Sequence, residues 1–92
     1  MDLDISGNVA LTTASSSGLG FASAQALVRE GVNVVINGRD GDRLAAAKES
    51  LQREAADGAR VVAVQGDITD TDDLDRLVET TVDEFGRLDH LV

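Results

Sequence analysis

The part of the sequence best suited to bind a ligand is "TTASSSGLGFASA", residues 12–24, in which three serines and two glycines fall between Ser15 and Gly20. Small residues leave backbone N–H groups accessible, and glycine reaches conformations that other residues avoid. Where such a turn leads into a helix, its N–H groups and the helix dipole favour negative charge. The stretch therefore predicts a site for an anionic group such as a pyrophosphate.

The same letters allow a second chemistry. Residues 14–18, "ASSSG", fit Ala-x-Ser-x-Gly, a variant of the nucleophile elbow in which Ser16 would be a catalytic serine. A serine triad also needs a histidine and an acid. The one histidine of the sequence is His90, two residues from its last residue. We therefore favour the anion site and keep a serine hydrolase as the alternative.

The elements that must position this turn alternate along the chain. Apolar, β-branched runs predict strands at 9–13, 32–36, 60–65 and 88–92. Helical spacing of apolar residues predicts a first helix around 21–28 that stops at Gly31, a second over 44–55 that ends near Gly58, and a third over 70–86.

The third helix has the clearest pattern. Its predicted apolar stripe comprises Leu74, Leu77, Val78, Thr81, Val82 and Phe85. The preceding "DITDTDD" supplies capping oxygens and places negative charge at the positive end of the helix dipole. These carboxylates are therefore interpreted as a capped helix start and not as a cation site.

This alternation predicts an α/β fold. Parallel strands need crossover connections, which the helices provide. Right-handed crossovers give the strand order 3-2-1-4, with the first two helices on one face and the third on the other. The prediction is half of a Rossmann-type doubly wound fold with four parallel strands and three helices, a single partial domain over residues 1–92. Its ligand site lies beyond the carboxyl ends of the strands, beside the serine-rich turn.

The charge of the chain excludes some partners. There are 17 acidic and 8 basic residues, a net charge of -9, and Lys48 is the one lysine. This excludes nucleic acid as a partner, because binding to it needs basic patches. No apolar run reaches the length of a membrane span. The absence of cysteine is compatible with a cytoplasmic location, and the acidic, lysine-poor composition is typical of halophilic microbes.

Four motifs, in order, resemble the short-chain dehydrogenase/reductase family. "TASSSGLG" (13–20) resembles its Thr-Gly-x-x-x-Gly-x-Gly turn, and the further matches are "ALVREGVNVVINGRD" (26–40), "GDITD" (66–70) and "FGRLDHLV" (85–92). The resemblance covers essentially the whole chain and is greatest to the 3-oxoacyl-[acyl-carrier-protein] reductases. It departs from the family at Ala14, where a glycine is expected.

The resemblance implies a site for a nicotinamide dinucleotide or its adenosine half. Thr13 would steady the turn, and Gly20 would allow close packing of helix on strand. Asp67 and the backbone of Ile68 would flank the adenine. The backbone that would hold the phosphates comprises Ser15, Ser16, Ser17, Gly18 and Leu19.

The end of the second strand would choose the cofactor. Family members that prefer NAD place an acid there for the ribose 2′-hydroxyl, whereas this chain has Asn37, Gly38 and Arg39. A guanidinium in place of an acid favours a 2′-phosphate, and hence NADP over NAD. The alternative is that Arg39 is a solvated turn residue whose charge the adjacent Asp40 neutralises.

The family carries its chemistry on an asparagine, a serine and a tyrosine four residues before a lysine, all beyond the fourth strand. This sequence contains no tyrosine and stops at Val92. We therefore expect the cofactor-binding N-terminal half of an NADP(H)-dependent reductase, not catalytically competent by itself. The alternative is a stand-alone, non-enzymatic module that binds adenine nucleotides or self-associates. In either case a homo-oligomer is expected to form through the edge of strand 4 or through helix 70–86.

Overall fold

A computed structural model describes residues 7–13, 18–56 and 58–91. Its elements are β1 (Val9–Thr12), α1 (Gly18–Arg29), β2 (Asn33–Gly38), α2 (Gly41–Glu54), β3 (Val61–Gln65), α3 (Thr71–Phe85) and β4 (His90–Leu91). The predicted α/β alternation is confirmed for the first three strands and the three helices, which form a Rossmann-like fold.

The strands form one parallel sheet in the order β3-β2-β1-β4. β1 pairs with β2 as far as Thr12 and Ile36, and β2 pairs with β3 as far as Gly38 and Gln65. β4 pairs with β1 through its two residues. Because the pairing is parallel, the carboxyl ends of β1, β2 and β3 lie at the same edge of the sheet.

One face of the sheet is covered by α1 and α2. Alternate strand residues such as Val34 and Ile36 point to this face, where they meet buried side chains of both helices. The cluster comprises Ala10, Ala24, Val28, Val32, Val34, Ile36, Leu44, Ala47, Leu51 and Val61. A helix also covers the opposite face, and burial on both faces explains why the strands are continuous apolar runs rather than alternating ones.

The opposite face is covered by α3. Leu11 and Val35 point to this side and are buried with Leu77 of the helix. The prediction that the third helix lies across the sheet from the first two is therefore confirmed. Thr81, also fully buried, satisfies its hydroxyl by donating to the carbonyl of Leu77 at 2.8 Å.

The apolar stripe of α3 is only partly used by this contact. Leu77 and Thr81 are buried, but Leu74, Val78 and Val82 are 38%, 38% and 44% exposed. At 100° per residue the stripe spans roughly 140° of the helix surface, more than the contact with the sheet covers. One flank of α3 is therefore apolar and exposed, and we call Leu74, Val78 and Val82 the α3 flank.

The helix ends agree with the predicted caps in three places. Asp70 accepts hydrogen bonds from the N–H groups of Asp72 and Asp73 at the start of α3. Gly31 and Gly86 have φ angles of 82° and 75°, the left-handed conformation expected after a helix.

The predicted end of the second helix near Gly58 is wrong. α2 ends at Glu54, because Ala55 adopts an extended conformation and the N–H of Ala56 donates to the carbonyl of Val28. Gln52 then donates to the carbonyl of Ala59 and accepts from the N–H of Val61. These long-range bonds replace the last turn of the helix.

The second strand is longer than predicted, since residues 37 and 38 belong to β2 and not to the turn. The side-chain amide of Asn37 donates to the carbonyls of Val64 and Gly66, each at 3.1 Å. The N–H of Gly66 in turn donates to the carbonyl of Gly38 at 3.0 Å. These bonds hold β2 against β3 up to the edge of the sheet, so Arg39 is the first residue beyond the strand.

Candidate nucleotide-binding site

The predicted site residues that the structure describes lie at the carboxyl edge of the sheet. Thr13 directly follows β1, Arg39 directly follows β2, and Asp67 lies two residues after β3. α1 begins beside this edge at Gly18. In open α/β sheets this edge is where ligands bind, at the point where the strand order reverses.

The serine-rich turn is only partly described. Ala14, Ser15, Ser16 and Ser17 lie outside the described residues. Thr13 is half-buried at the end of β1, and residues 18–20 form the start of α1. The first N–H groups of a helix have no acceptor within the helix. The described part of the turn therefore has the strand and helix start that an anion site requires, and the predicted contacts of the serines stay predictions.

Gly18 has a φ of +66°, and a Cβ built on it would meet no heavy atom within 4 Å. An alanine there would be strained by its backbone conformation and not by a clash. We expect Gly18→Ala to lower the free energy of unfolding by about 1 kcal/mol, and Gly18→Asn by less, because asparagine visits this conformation more readily. Urea unfolding of the three proteins measures this, and equal stability of Gly18→Ala and the parent chain would contradict it.

Arg39 and Asp67 are brought together across the β2–β3 edge. Nη1 of Arg39 lies 3.6 Å from Oδ2 of Asp67, and their side chains are 80% and 38% exposed. Oδ1 of Asp67 accepts hydrogen bonds from the N–H and the hydroxyl of Thr69, at 2.9 and 2.7 Å. These bonds from Thr69, assisted by the charge of Arg39, hold the pKa of Asp67 below its ordinary value. The Asp67 carboxylate is therefore ionised at neutral pH.

The alternative interpretation of Arg39 holds in part: its side chain is exposed beyond β2, but its ion-pair partner is Asp67 and not Asp40. Oδ1 of Asp40 caps α2 by accepting from the N–H groups of Asp42 and Arg43, at 3.0 and 3.2 Å. Its other oxygen lies 3.9 Å from Nε of Arg43. The Asp40 carboxylate is therefore engaged at the start of α2, and the ion-pair partner of Arg39 is Asp67.

Two residues that support the site were missed in the sequence. Gln65 at the end of β3 donates its amide to the carbonyl of Arg39 at 2.9 Å, which fixes the backbone of that residue. Thr69 orients Asp67, as described above. The Asp-x-Thr spacing of 67–69 is a recognisable turn signal, because a carboxylate commonly bonds the backbone two residues on. The Gln65 contact depends on strand register and has no such local signal.

Ile68 lies in the turn between β3 and α3, with a side chain that is 39% exposed. The N–H of the preceding Asp67 donates to Oδ2 of Asp73 at 2.9 Å. Asp73 also lies 3.4 Å from Arg76, which donates to the carbonyl of Gln65 at 2.8 Å. The start of α3 therefore fixes the turn that carries Asp67 and Ile68.

The described residues form neither a metal site nor a membrane span. Within residues 7–13, 18–56 and 58–91, no group of three or more histidine and acidic side chains is placed to hold a metal ion. Over those same ranges, no helix combines the length and apolar character that a membrane span requires. At the start of α3, the Asp70 carboxylate caps the helix and the Asp73 carboxylate pairs with Arg76.

Comparison with known proteins identifies the family. The profile of the short chain dehydrogenase family matches residues 8–92, which include every element described above. The chain belongs to the short-chain dehydrogenase family. The resemblance seen in the sequence motifs is thereby confirmed.

Individual members of this family are similar over nearly the whole chain. The A-factor type gamma-butyrolactone 1′-reductase (1S-forming) of Streptomyces virginiae is 44% identical over 88% of this chain and 30% of its own length. The 3-oxoacyl-[acyl-carrier-protein] reductase of Synechocystis is 38% identical over 96% of this chain and 35% of its own length.

A solved structure is similar in fold as well as in sequence. L-Sorbose reductase from Gluconobacter frateurii, complexed with NADPH and L-sorbose, superposes with a TM-score of 0.92 and 41% identity. The alignment covers 99% of this chain and 34% of the reductase. The chain thus spans about a third of the length of these relatives, in the region that binds cofactor in NAD(P)-dependent short-chain reductases.

Proposed function

We propose that these residues bind the adenosine and pyrophosphate part of NADP, as the cofactor-binding half of an NADP(H)-dependent short-chain reductase. The observation that carries the proposal is the position of Arg39, the first residue beyond β2, at a point where NAD-preferring members place an acid. The guanidinium can pair with a 2′-phosphate through charge-assisted hydrogen bonds. The solved relative that contains NADPH supports this choice of cofactor.

The donor set at the edge of the sheet fits such a cofactor. Arg39 offers N–H donors for a phosphate, Asp67 offers an acceptor for the adenine amino group, and the start of α1 offers backbone N–H groups for the pyrophosphate. A bound cofactor would supply the hydride of the family's reaction at its nicotinamide. The sequence contains no tyrosine, the acid/base residue of the family, so we assign cofactor binding alone to these residues.

We also propose the place of these residues in the whole sheet. They form a single partial domain over residues 1–92, in which β4 continues a doubly wound sheet of order 3-2-1-4. Among the described residues β4 pairs on one side only, with β1. The alternative function is a stand-alone module that binds adenine nucleotides. Such a module would use the same nucleotide site but would have no reductase activity associated with it.

Titration with two nucleotides tests the cofactor proposal. 2′,5′-ADP carries the 2′-phosphate of NADP, whereas 5′-AMP lacks it. We expect 2′,5′-ADP to bind about tenfold or more tightly, since a charge-assisted hydrogen bond contributes about 1.5–3 kcal/mol. Amide chemical shifts should move at residues 18, 39 and 67 in ¹⁵N-labelled protein. Equal affinity for both nucleotides would overturn the NADP assignment. If neither nucleotide bound, the proposed nucleotide site would be wrong, and the alternative of a self-associating module would be favoured.

Self-association is favoured by the α3 flank. Val78 is the middle residue of this flank and is 38% exposed. Each residue of the flank is followed in sequence by an exposed acidic residue, so a row of carboxylates runs beside the flank; these residues are Asp75, Glu79 and Asp83. Apolar contact between two copies would bury the flank but would bring these carboxylates together. We therefore propose that the homo-oligomer forms through α3 or the β4 edge, and only where salt screens the charge.

A salt series measures this. We expect light scattering to show monomer at low ionic strength and a dimer or larger species at molar KCl, and Val78→Asp to suppress the change. Ala45→Asp adds the same charge at an exposed position of α2 and should have little effect. Monomer at every salt concentration would contradict the proposal. Circular dichroism of the same samples tests the predicted halophilic origin, because a halophilic protein is expected to lose structure at low salt.

The cytoplasmic location stays a prediction.

A further inference from the structure

We propose that Asp67 competes with the 2′-phosphate of the cofactor for Arg39, so that this carboxylate limits the preference for NADP over NAD. The inference rests on the proposed binding of NADP at this edge of the sheet. It adds a specificity-determining role to Asp67, beyond the contact with adenine that the family resemblance implies.

The first observation is that one oxygen of Asp67 is left for Arg39. Oδ1 accepts both hydrogen bonds from Thr69, at 2.9 and 2.7 Å. Oδ2 is the oxygen that lies 3.6 Å from Nη1 of Arg39. Because Thr69 fixes the carboxylate plane, Oδ2 stays directed at the guanidinium.

The second observation is that both backbones are fixed while the arginine side chain is not. The carbonyl of Arg39 is held by Gln65, and the N–H of Asp67 is held by Asp73. The Arg39 side chain is nevertheless 80% exposed, so it can turn from the carboxylate to another anion without moving a strand. The Arg39–Asp67 pair is therefore prepositioned, and Arg39 can exchange the carboxylate for another anion.

These features make the competition measurable. A 2′-phosphate must either displace the Asp67 carboxylate from the guanidinium or share the guanidinium with it. An exposed ion pair such as this one is weak, because solvent screens the two charges. The carboxylate therefore reduces the benefit of the 2′-phosphate without abolishing it, and a nucleotide without that phosphate does not meet the competition.

Asp67→Asn isolates the effect, because asparagine keeps an Oδ1 that accepts from Thr69 and replaces the charged Oδ2 with a neutral amide. The quantity to measure is the ratio of association constants for 2′,5′-ADP and 5′-AMP, by calorimetric titration at fixed salt. Any loss of adenine contact affects both nucleotides and cancels in this ratio. We expect Asp67→Asn to raise the ratio about two- to fivefold, as for the release of an exposed ion pair.

A control variant and a double variant show whether the ratio changes through net charge or through the release of Arg39. Asp75→Asn removes the same charge from an exposed position on α3 and should leave the ratio unchanged. In an Arg39→Ala background, Asp67→Asn should change the ratio less than about twofold, because no guanidinium is left to release. An unchanged ratio in Asp67→Asn, with 2′,5′-ADP still preferred by the parent chain, would overturn the competition alone. Equal binding of the two nucleotides by the parent chain would instead overturn the proposed function.

Discussion

Replacement of Arg39 with alanine is expected to weaken binding of 2′,5′-ADP about 10- to 100-fold, because charge-assisted hydrogen bonds to a phosphate contribute about 1.5–3 kcal/mol. Binding of 5′-AMP should change less than about twofold, since that nucleotide has no 2′-phosphate for the guanidinium to contact. The side chain is 80% exposed, so the substitution removes little packing. Calorimetric titration of both nucleotides measures the difference.

Arg53→Ala is the matched control. Arg53 is also an exposed arginine, but it lies in the last turn of α2, at the end of that helix away from the carboxyl edge of the sheet. Its removal makes the same change in net charge. If Arg53→Ala weakened 2′,5′-ADP binding as much as Arg39→Ala, the preference would reflect net charge and not a site at the end of β2. Equal losses for 2′,5′-ADP and 5′-AMP in Arg39→Ala would also contradict the assignment.

Replacement of Leu77 with alanine is expected to lower the free energy of unfolding by about 2–5 kcal/mol, the range for a leucine removed from a packed core. Leu77 is 1% exposed and joins α3 to Leu11 and Val35 of the sheet. Leu74→Ala removes the same atoms from the same helix at a position that is 38% exposed, and should cost less than about 1 kcal/mol.

Because both variants change leucine to alanine in one helix, their helix propensities cancel and the difference reports burial. Urea unfolding followed by circular dichroism, at one salt concentration, gives both values. Complete loss of the cooperative transition in Leu77→Ala would agree with the larger cost, provided that Leu74→Ala still unfolds cooperatively. Equal destabilisation by the two variants would mean that α3 is not packed on the sheet through Leu77.

Most of the helices and strands could be predicted from local patterns in the sequence. Gly31 and Gly86 marked helix ends because the left-handed conformation strongly favours glycine. The acidic stretch 67–73 marked a helix start because a carboxylate can accept from the first N–H groups, as Asp70 does. The end of α2 was misplaced because its last turn is replaced by the bond from Ala56 to Val28, two residues that local periodicity does not relate.

The candidate site divides in the same way. The small-residue turn, the missing acid and the guanidinium of Arg39 are visible in the sequence, because each depends on residue type at a position next to a strand end. The contacts of Ser15, Ser16 and Ser17 stay predictions. Asp40, adjacent to Arg39 in sequence, was its partner in the alternative interpretation, yet the Asp40 carboxylate caps α2.

The sequence by itself determined that this is a βα-alternating chain of the short-chain dehydrogenase family, because strand, helix and turn signals act over a few residues. Only the tertiary structure decided that Arg39 faces Asp67, since that pair depends on the register that aligns Gly38 with Gln65. It also decided which half of the α3 stripe is buried. Periodicity defines the apolar side of a helix, but the shape of the neighbouring sheet sets how much of that side is covered.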